Sequence, residues 1–157
     1  MANGQLSHEL EVNVPASEAW DLFGTLRLSK FIEEQCSSLV QKIDLVEGDG
    51  GVGTVVDIKF VPGTPGVTGY KEKFTKIDNE ARIKEAEAVE GGYLDLGFSH
   101  YLVRFEIIEK ANDSCIIKTT IEYQVKEEAA ANASLVSIEP LANVVLLAQK
   151  QLTKPKA

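Results

Sequence analysis

Three side chains lying close in sequence have the types needed for acid–base chemistry: Tyr70 and Glu72 in YKEKF, and Lys84 in RIKEA. A carboxylate and an amine facing one enclosed space can exchange protons with a reacting molecule, because loss of water shifts both pKa values toward neutrality. Both segments alternate as strands do. Along 70–75, Tyr70, Glu72 and Phe74 fall on one face and Lys71, Lys73 and Thr75 on the other. In the next segment Lys84 shares a face with Ala86 and Ala88, while Glu85 and Glu87 share the other with Ile83. A turn near Asp78-Asn79 would set Glu72 and Lys84 opposite each other, within cross-strand reach, and a one-residue slip would undo this. The pattern admits a second reading, an exposed ion pair, since charged side chains are mostly exposed. Against it, Tyr101, Val103, Phe105 and Ile107 form a continuous apolar face on the following segment, so the sheet has a wet side and a dry side.

Holding such a group requires a sheet. Residues 6–14 alternate, Leu10, Val12 and Val14 against Glu9, Glu11 and Asn13, as a half-buried strand does. Pro15 suits a first helical position, and PASEAWDLF and LRLSKFIEEQ read as two short helices divided near Gly24-Thr25. Strands follow at 40–47, 53–60, 70–77, 82–90, 101–109 and 114–125, with turns at Asp78-Asn79, Gly91-Gly92 and Asn112-Asp113 and a loop at VPGTPGVTG. From 127 to 152 the apolar residues Leu135, Ile138, Leu141, Val145, Ala148 and Leu152 recur at three- and four-residue steps, predicting one long amphipathic helix bent at Pro140. The order predicts a single α+β domain over residues 1–157: a strongly curved, seven-stranded antiparallel sheet around a C-terminal helix.

Composition narrows the function. The chain has 157 residues, 44% hydrophobic and 25% charged, enough for one domain with a real core. A net charge of −8 with no basic run argues against nucleic acid. The longest apolar run, VVLLA, is too short to cross a bilayer, so no membrane partner is expected. MANGQLSHEL has no apolar signal region, and a cytoplasmic protein, monomeric or weakly dimeric, is expected. Without a secretory signal, the sequons at Asn112 and Asn132 are chance matches. Cys36 and Cys115 lack metal-ligand spacing and His8 and His100 lie far apart, so free thiols and no metal are expected. EGDGGVGTV lacks the GK[ST] ending of a phosphate loop, and TVVDIKF after it is strand-like, so it is expected to turn a hairpin. Trp20 is assigned to the core, His100 to the outer surface, and Tyr93 and Asp95 to a turn.

EGDGGVGTV between two strands, the later VEGGYLDLG and the C-terminal helical segment together resemble the Bet v 1 family of pathogenesis-related class 10 proteins. Within it, GYKEKFTKIDNEARIKEAEAVEGGYLDLG at 69–97 is similar to the norcoclaurine synthase-like branch. The resemblance runs over nearly the whole chain. It implies a Bet v 1-like helix-grip fold with an internal apolar cavity, and a reaction without cofactor. In that branch a Tyr, a Glu and a Lys of this hairpin line the cavity where dopamine meets an arylacetaldehyde in a Pictet–Spengler condensation. Amine and aldehyde form an iminium, which the electron-rich ring attacks. The matching positions are Tyr70, Glu72 and Lys84. By resemblance, Lys84 would protonate or hydrogen-bond the departing oxygen, Glu72 would take the ring proton, and Tyr70 would narrow the entrance. Phe74, Tyr101, Val103, Phe105 and Leu141 are expected to meet the substrate.

One position departs from that pattern. The family enzyme carries an Asp where this chain has Val103, and valine cannot accept a hydrogen bond from an amine. The related norbelladine synthase branch carries an aliphatic residue there, and it joins tyramine to a dihydroxybenzaldehyde as an imine without closing a ring. AAANAS at 129–134 also resembles that branch. The resemblance therefore implies an amine–aldehyde condensing enzyme, a Pictet–Spenglerase of the lyase class, with imine formation as the alternative. A non-catalytic carrier of plant hormones or other small ligands is the rival, since the same cavity would serve it.

Overall fold

The structure, a computed structural model, describes residues 2–64 and 67–155. Strands β1 (Ala2–Val12), β2 (Val40–Glu47), β3 (Val55–Phe60), β4 (Gly69–Asp78), β5 (Ile83–Gly91), β6 (Phe98–Ala111) and β7 (Ser114–Val125) form one antiparallel sheet. The order β1-β7-β6-β5-β4-β3-β2 is a meander from β2 to β7, with β1 crossing over to pair with β7. Helices α1 (Ala16–Phe23) and α2 (Arg27–Gln35) fill the long connection between the two edge strands, and α3 (Glu139–Leu152) packs on β1 and β7. The seven-stranded antiparallel α+β fold is the one expected. Alternation does the sorting: Val12, Ile117, Ile121 and Val125 turn inward and are fully buried with Val145 and Ala148 of α3.

Local chemistry sets the element ends. Pro15 is the N-cap of α1 rather than its first helical residue, and its carbonyl accepts the amides of Glu18 and Ala19. Trp20 packs against Gly24, where a Cβ would come within 2.5 Å of the indole, and donates its Nε1–H to Asn79 Oδ1 at 2.9 Å. The glycine run turns the β2–β3 hairpin: Gly48 and Gly53 have φ of +92° and +96°, and the Gly53 amide donates to Phe74 O at 2.8 Å. Of the VPGTPGVTG loop, Pro65 and Gly66 lie outside the described residues.

The C-terminal helical stretch comes in two pieces, which corrects the single bent helix expected from 127 to 152. Residues Glu127–Leu135 form a 3-10 segment, Val136 is extended at φ −76° and ψ 127°, and α3 begins at Glu139. Pro140 therefore sits in the first turn, where its missing amide has no helical partner to lose, and starts the helix rather than bending it. By length and composition 127–152 could cross a membrane, but the break divides it and α3 buries Ala142, Val144, Val145 and Ala148.

Candidate active site

The β4–β5 hairpin carries the candidate pair, in a register that differs from the expected one. Glu72 pairs with Ala88 and Lys84 with Ile77, so the two are not directly opposed. The cause is the turn. It occupies 79–82, with Arg82 at φ +55° and Asp78 Oδ1 accepting the amides of Glu80 and Ala81, and Thr75 is bulged between Phe74 and Lys76. Because Lys84 and Ala88 are an even number of residues apart, the shift keeps both functional side chains on the inner face. The long lysine side chain makes up the offset. Its Nζ lies over the Phe74 ring, 4.1 Å from the centroid, between its own position and Glu72. Ala86 and Ala88, both buried, leave the space it occupies.

Burial is the main force on this pair. Lys84 is only 3% exposed. Removal from water lowers its pKa from 10.5 to about 8, against the opposing attraction of Glu72. Burial raises Glu72 from 4.5 to about 7, while Lys84 and the Tyr70 hydroxyl pull it back. Burial first, then the charge of Glu72, pushes Tyr70 well above its usual range; for Tyr101 burial, Tyr93 and Glu72 act together. Near neutral pH the pair thus holds one readily given proton and one readily filled proton site.

Beside it lies an apolar cavity of about 290 Å³, near the lower end of the range for small-molecule sites. Tyr70, Tyr93 and Tyr101 wall it together with Ile58, Leu141 and Val144, whereas Glu72 and Lys84 lie further along their strands and do not line it. The tyrosines form a contiguous aromatic partition: Tyr93 stacks on Tyr101 at 4.2 Å and 16°, and Tyr70 meets Tyr101 edge-on at 5.9 Å. Of the side chains expected to meet substrate, Tyr101 and Leu141 line the cavity. Val103, Phe74 and Phe105 are buried instead, Phe105 against Phe23 at 5.2 Å.

The model of the pathogenesis-related protein Bet v 1 family matches residues 1–145. The chain belongs to that family. Within the Bet v 1 family, it is 52% identical over 137 residues to norbelladine synthase of Narcissus pseudonarcissus, covering 87% of this chain and 84% of that one. It is 42% identical over 139 residues to S-norcoclaurine synthase 2 of Papaver somniferum, covering 87% of this chain and 60% of that one. Norcoclaurine synthase from Thalictrum flavum, solved in complex with dopamine and hydroxybenzaldehyde, superposes with a TM-score of 0.88 at 37% identity, covering 99% of this chain and 90% of that one.

Tyr93, expected in a turn, does sit in the 3-10 segment Gly92–Leu96, yet its ring lines the cavity. The available signal was the glycine context: Gly92 approaches Tyr70 so closely that a Cβ would meet its Cβ at 2.7 Å. His100 is on the outer face as expected, held by Glu87 at 3.0 Å and Glu122 at 3.3 Å. Among the described residues, no group of three His, Cys, Asp or Glu could hold a metal ion.

Proposed function

We propose that this protein condenses an arylethylamine with an aryl aldehyde, using Lys84 as acid and Glu72 as base. The observation that carries the reading is the enclosed lysine–carboxylate pair beside an aromatic-walled apolar cavity. The neutral amine nitrogen attacks the carbonyl carbon, giving a carbinolamine. The Lys84 ammonium, with a pKa of about 8, donates its proton to the departing hydroxyl, which leaves as water. The iminium then has two fates. A ring carbon attacks it and Glu72 takes the ring proton, closing a Pictet–Spengler product; or the nitrogen gives its proton to the now neutral Lys84 and the reaction stops at the imine. Holding both aromatic partners among Tyr70, Tyr93 and Tyr101 lowers the entropic part of the barrier in either case.

A specific observation favours the second fate. Val103 is buried and apolar, so this position supplies no acceptor to fix the amine for ring attack, and norbelladine synthase is a 52% identical relative. The two fates separate by chiral chromatography after incubation with dopamine and 4-hydroxyphenylacetaldehyde, beside tyramine and 3,4-dihydroxybenzaldehyde trapped by borohydride. One cyclised enantiomer in excess supports ring closure. Accelerated trapping of the reduced imine with racemic cyclised product supports the imine reading. Background rates in both would make the cavity a carrier's.

A further inference from the structure

Two buried polar atoms take no part in that chemistry. His8 in β1 and Thr119 in β7 are direct register partners. Both point inward, His8 between Leu6 and Leu10 and Thr119 between Ile117 and Ile121, in a cluster that is otherwise apolar. Among the described residues, His8 Nδ1 and Thr119 Oγ1 are the buried side-chain polar atoms without a hydrogen-bond partner, and Thr119 is fully buried. One orphaned atom is a local imperfection. Two on directly opposed residues, with Cβ atoms about 4.5–5.5 Å apart, the half-buried His8 and the fully buried Thr119, leave a polar pair that calls for a shared partner.

The same row continues from Thr119 to Phe105 and on to Lys84. Phe105, packed on Phe23, stands between this polar pair and the lysine. The site's chemistry is plain. An imidazole nitrogen donates or accepts according to its tautomer, and a threonine hydroxyl does both. No charge on the inner faces of β1 and β7 or among the buried residues of α3 would balance an ion, because those positions are apolar.

We propose that His8 and Thr119 form an interior binding site for one neutral hydroxyl group, separate from the Lys84–Glu72 pair and independent of the reaction assigned to it. The hydroxyl belongs either to an ordered water or to the phenol end of a bound aromatic. Each supplies a donor and lone pairs to satisfy both protein atoms at once.

Unfolding of Thr119→Val, His8→Leu and the double variant tests the site in the free protein, with Thr119→Ser as the control that keeps the hydroxyl. Thr119→Val preserves shape, so the sign of its effect discriminates. If a water bridges the pair, Thr119→Val is less stable, Thr119→Ser loses only what its buried methyl contributes, and Thr119→Val and His8→Leu are non-additive because each removes one arm of a single bridge. If the guest is a ligand phenol, calorimetry shows the full chain binding tyramine about five- to tenfold tighter than phenethylamine, and Thr119→Val abolishes that preference. Either result supports the site and names its guest. Additive substitutions, a Thr119→Val variant as stable as the parent or more so, and no phenol preference that depends on Thr119 would together overturn it.

Discussion

The sheet from β4 to β7 carries charge on both faces, and the faces treat it differently. Outside, Arg104 reaches Glu85 at 2.6 Å and Glu122 at 3.2 Å, and His100 bridges Glu87 and Glu122. Inside, Lys84 and the Glu72 of neighbouring β4 are offset by the hairpin register, with the Lys84 ammonium over the Phe74 ring. The outer charges pair with one another and remain in contact with water. Lys84, buried, and Glu72, half-buried beside it, make no direct ion pair and are pushed toward neutrality, and that leaves their protons available for chemistry.

The comparison breaks most visibly in rate. Lys84→Ala is expected to cut condensation by about 10²–10⁴-fold, while Arg104→Ala changes it less than about twofold; initial rates over the uncatalysed background measure both. Glu72→Gln sharpens the division of labour inside the pair. It should slow ring closure by about 10²-fold or more and leave trapped imine much less affected, because only ring closure needs the ring proton removed.

The pH profile is a smaller but more diagnostic effect. Ring closure needs Glu72 ionised and Lys84 protonated, so its kcat/KM should be highest between about 7 and about 8 and fall tenfold per unit on either side. Glu85→Gln on the outer face should leave that profile unmoved. Loss of the acid limb in the trapped-imine assay would show that Glu72 serves ring closure alone.

Stability gives the smallest effects, with opposite signs on the two faces. Between pH 4.5 and about 7 the folded chain holds the Glu72 proton that the unfolded chain has lost, so this group makes stability fall as pH rises. Between about 8 and 10.5 the unfolded chain holds the Lys84 proton that the folded chain has lost, so stability rises with pH. Each full window is worth about 3 kcal/mol. Lys84→Met should therefore raise Tm at pH 7 by about 5 °C. Arg104→Met should lower Tm slightly, since such pairs contribute about 1 kcal/mol or less. Calorimetry of the two variants side by side checks the sign.

How much of this was legible depended on whether local pattern or long-range geometry decided it. Period-two alternation put Tyr70, Glu72 and Lys84 on the inner face, and that placement holds because the register shift is even. Pairing partners were not legible: the Thr75 bulge and the left-handed Arg82 leave no mark on the hydrophobic pattern. The 3-10 segment at 127–135 escaped for a related reason. Over nine residues, half of them alanine or another small side chain, periods of 3.0 and 3.6 look alike. Tyr93 was hidden because a turn residue's direction follows from where the glycines fold the chain, and Gly91, Gly92 and Gly97 all have positive φ.

The central claim is that the enclosed pair condenses amine with aldehyde, and the initial rate of condensation in three proteins tests it most directly. With an arylethylamine and an aryl aldehyde at pH 7.5, the parent chain and Glu85→Gln should both run well above background, and Lys84→Ala should fall to it. A parent no faster than background, or a Lys84→Ala variant as fast as the parent, would contradict the account.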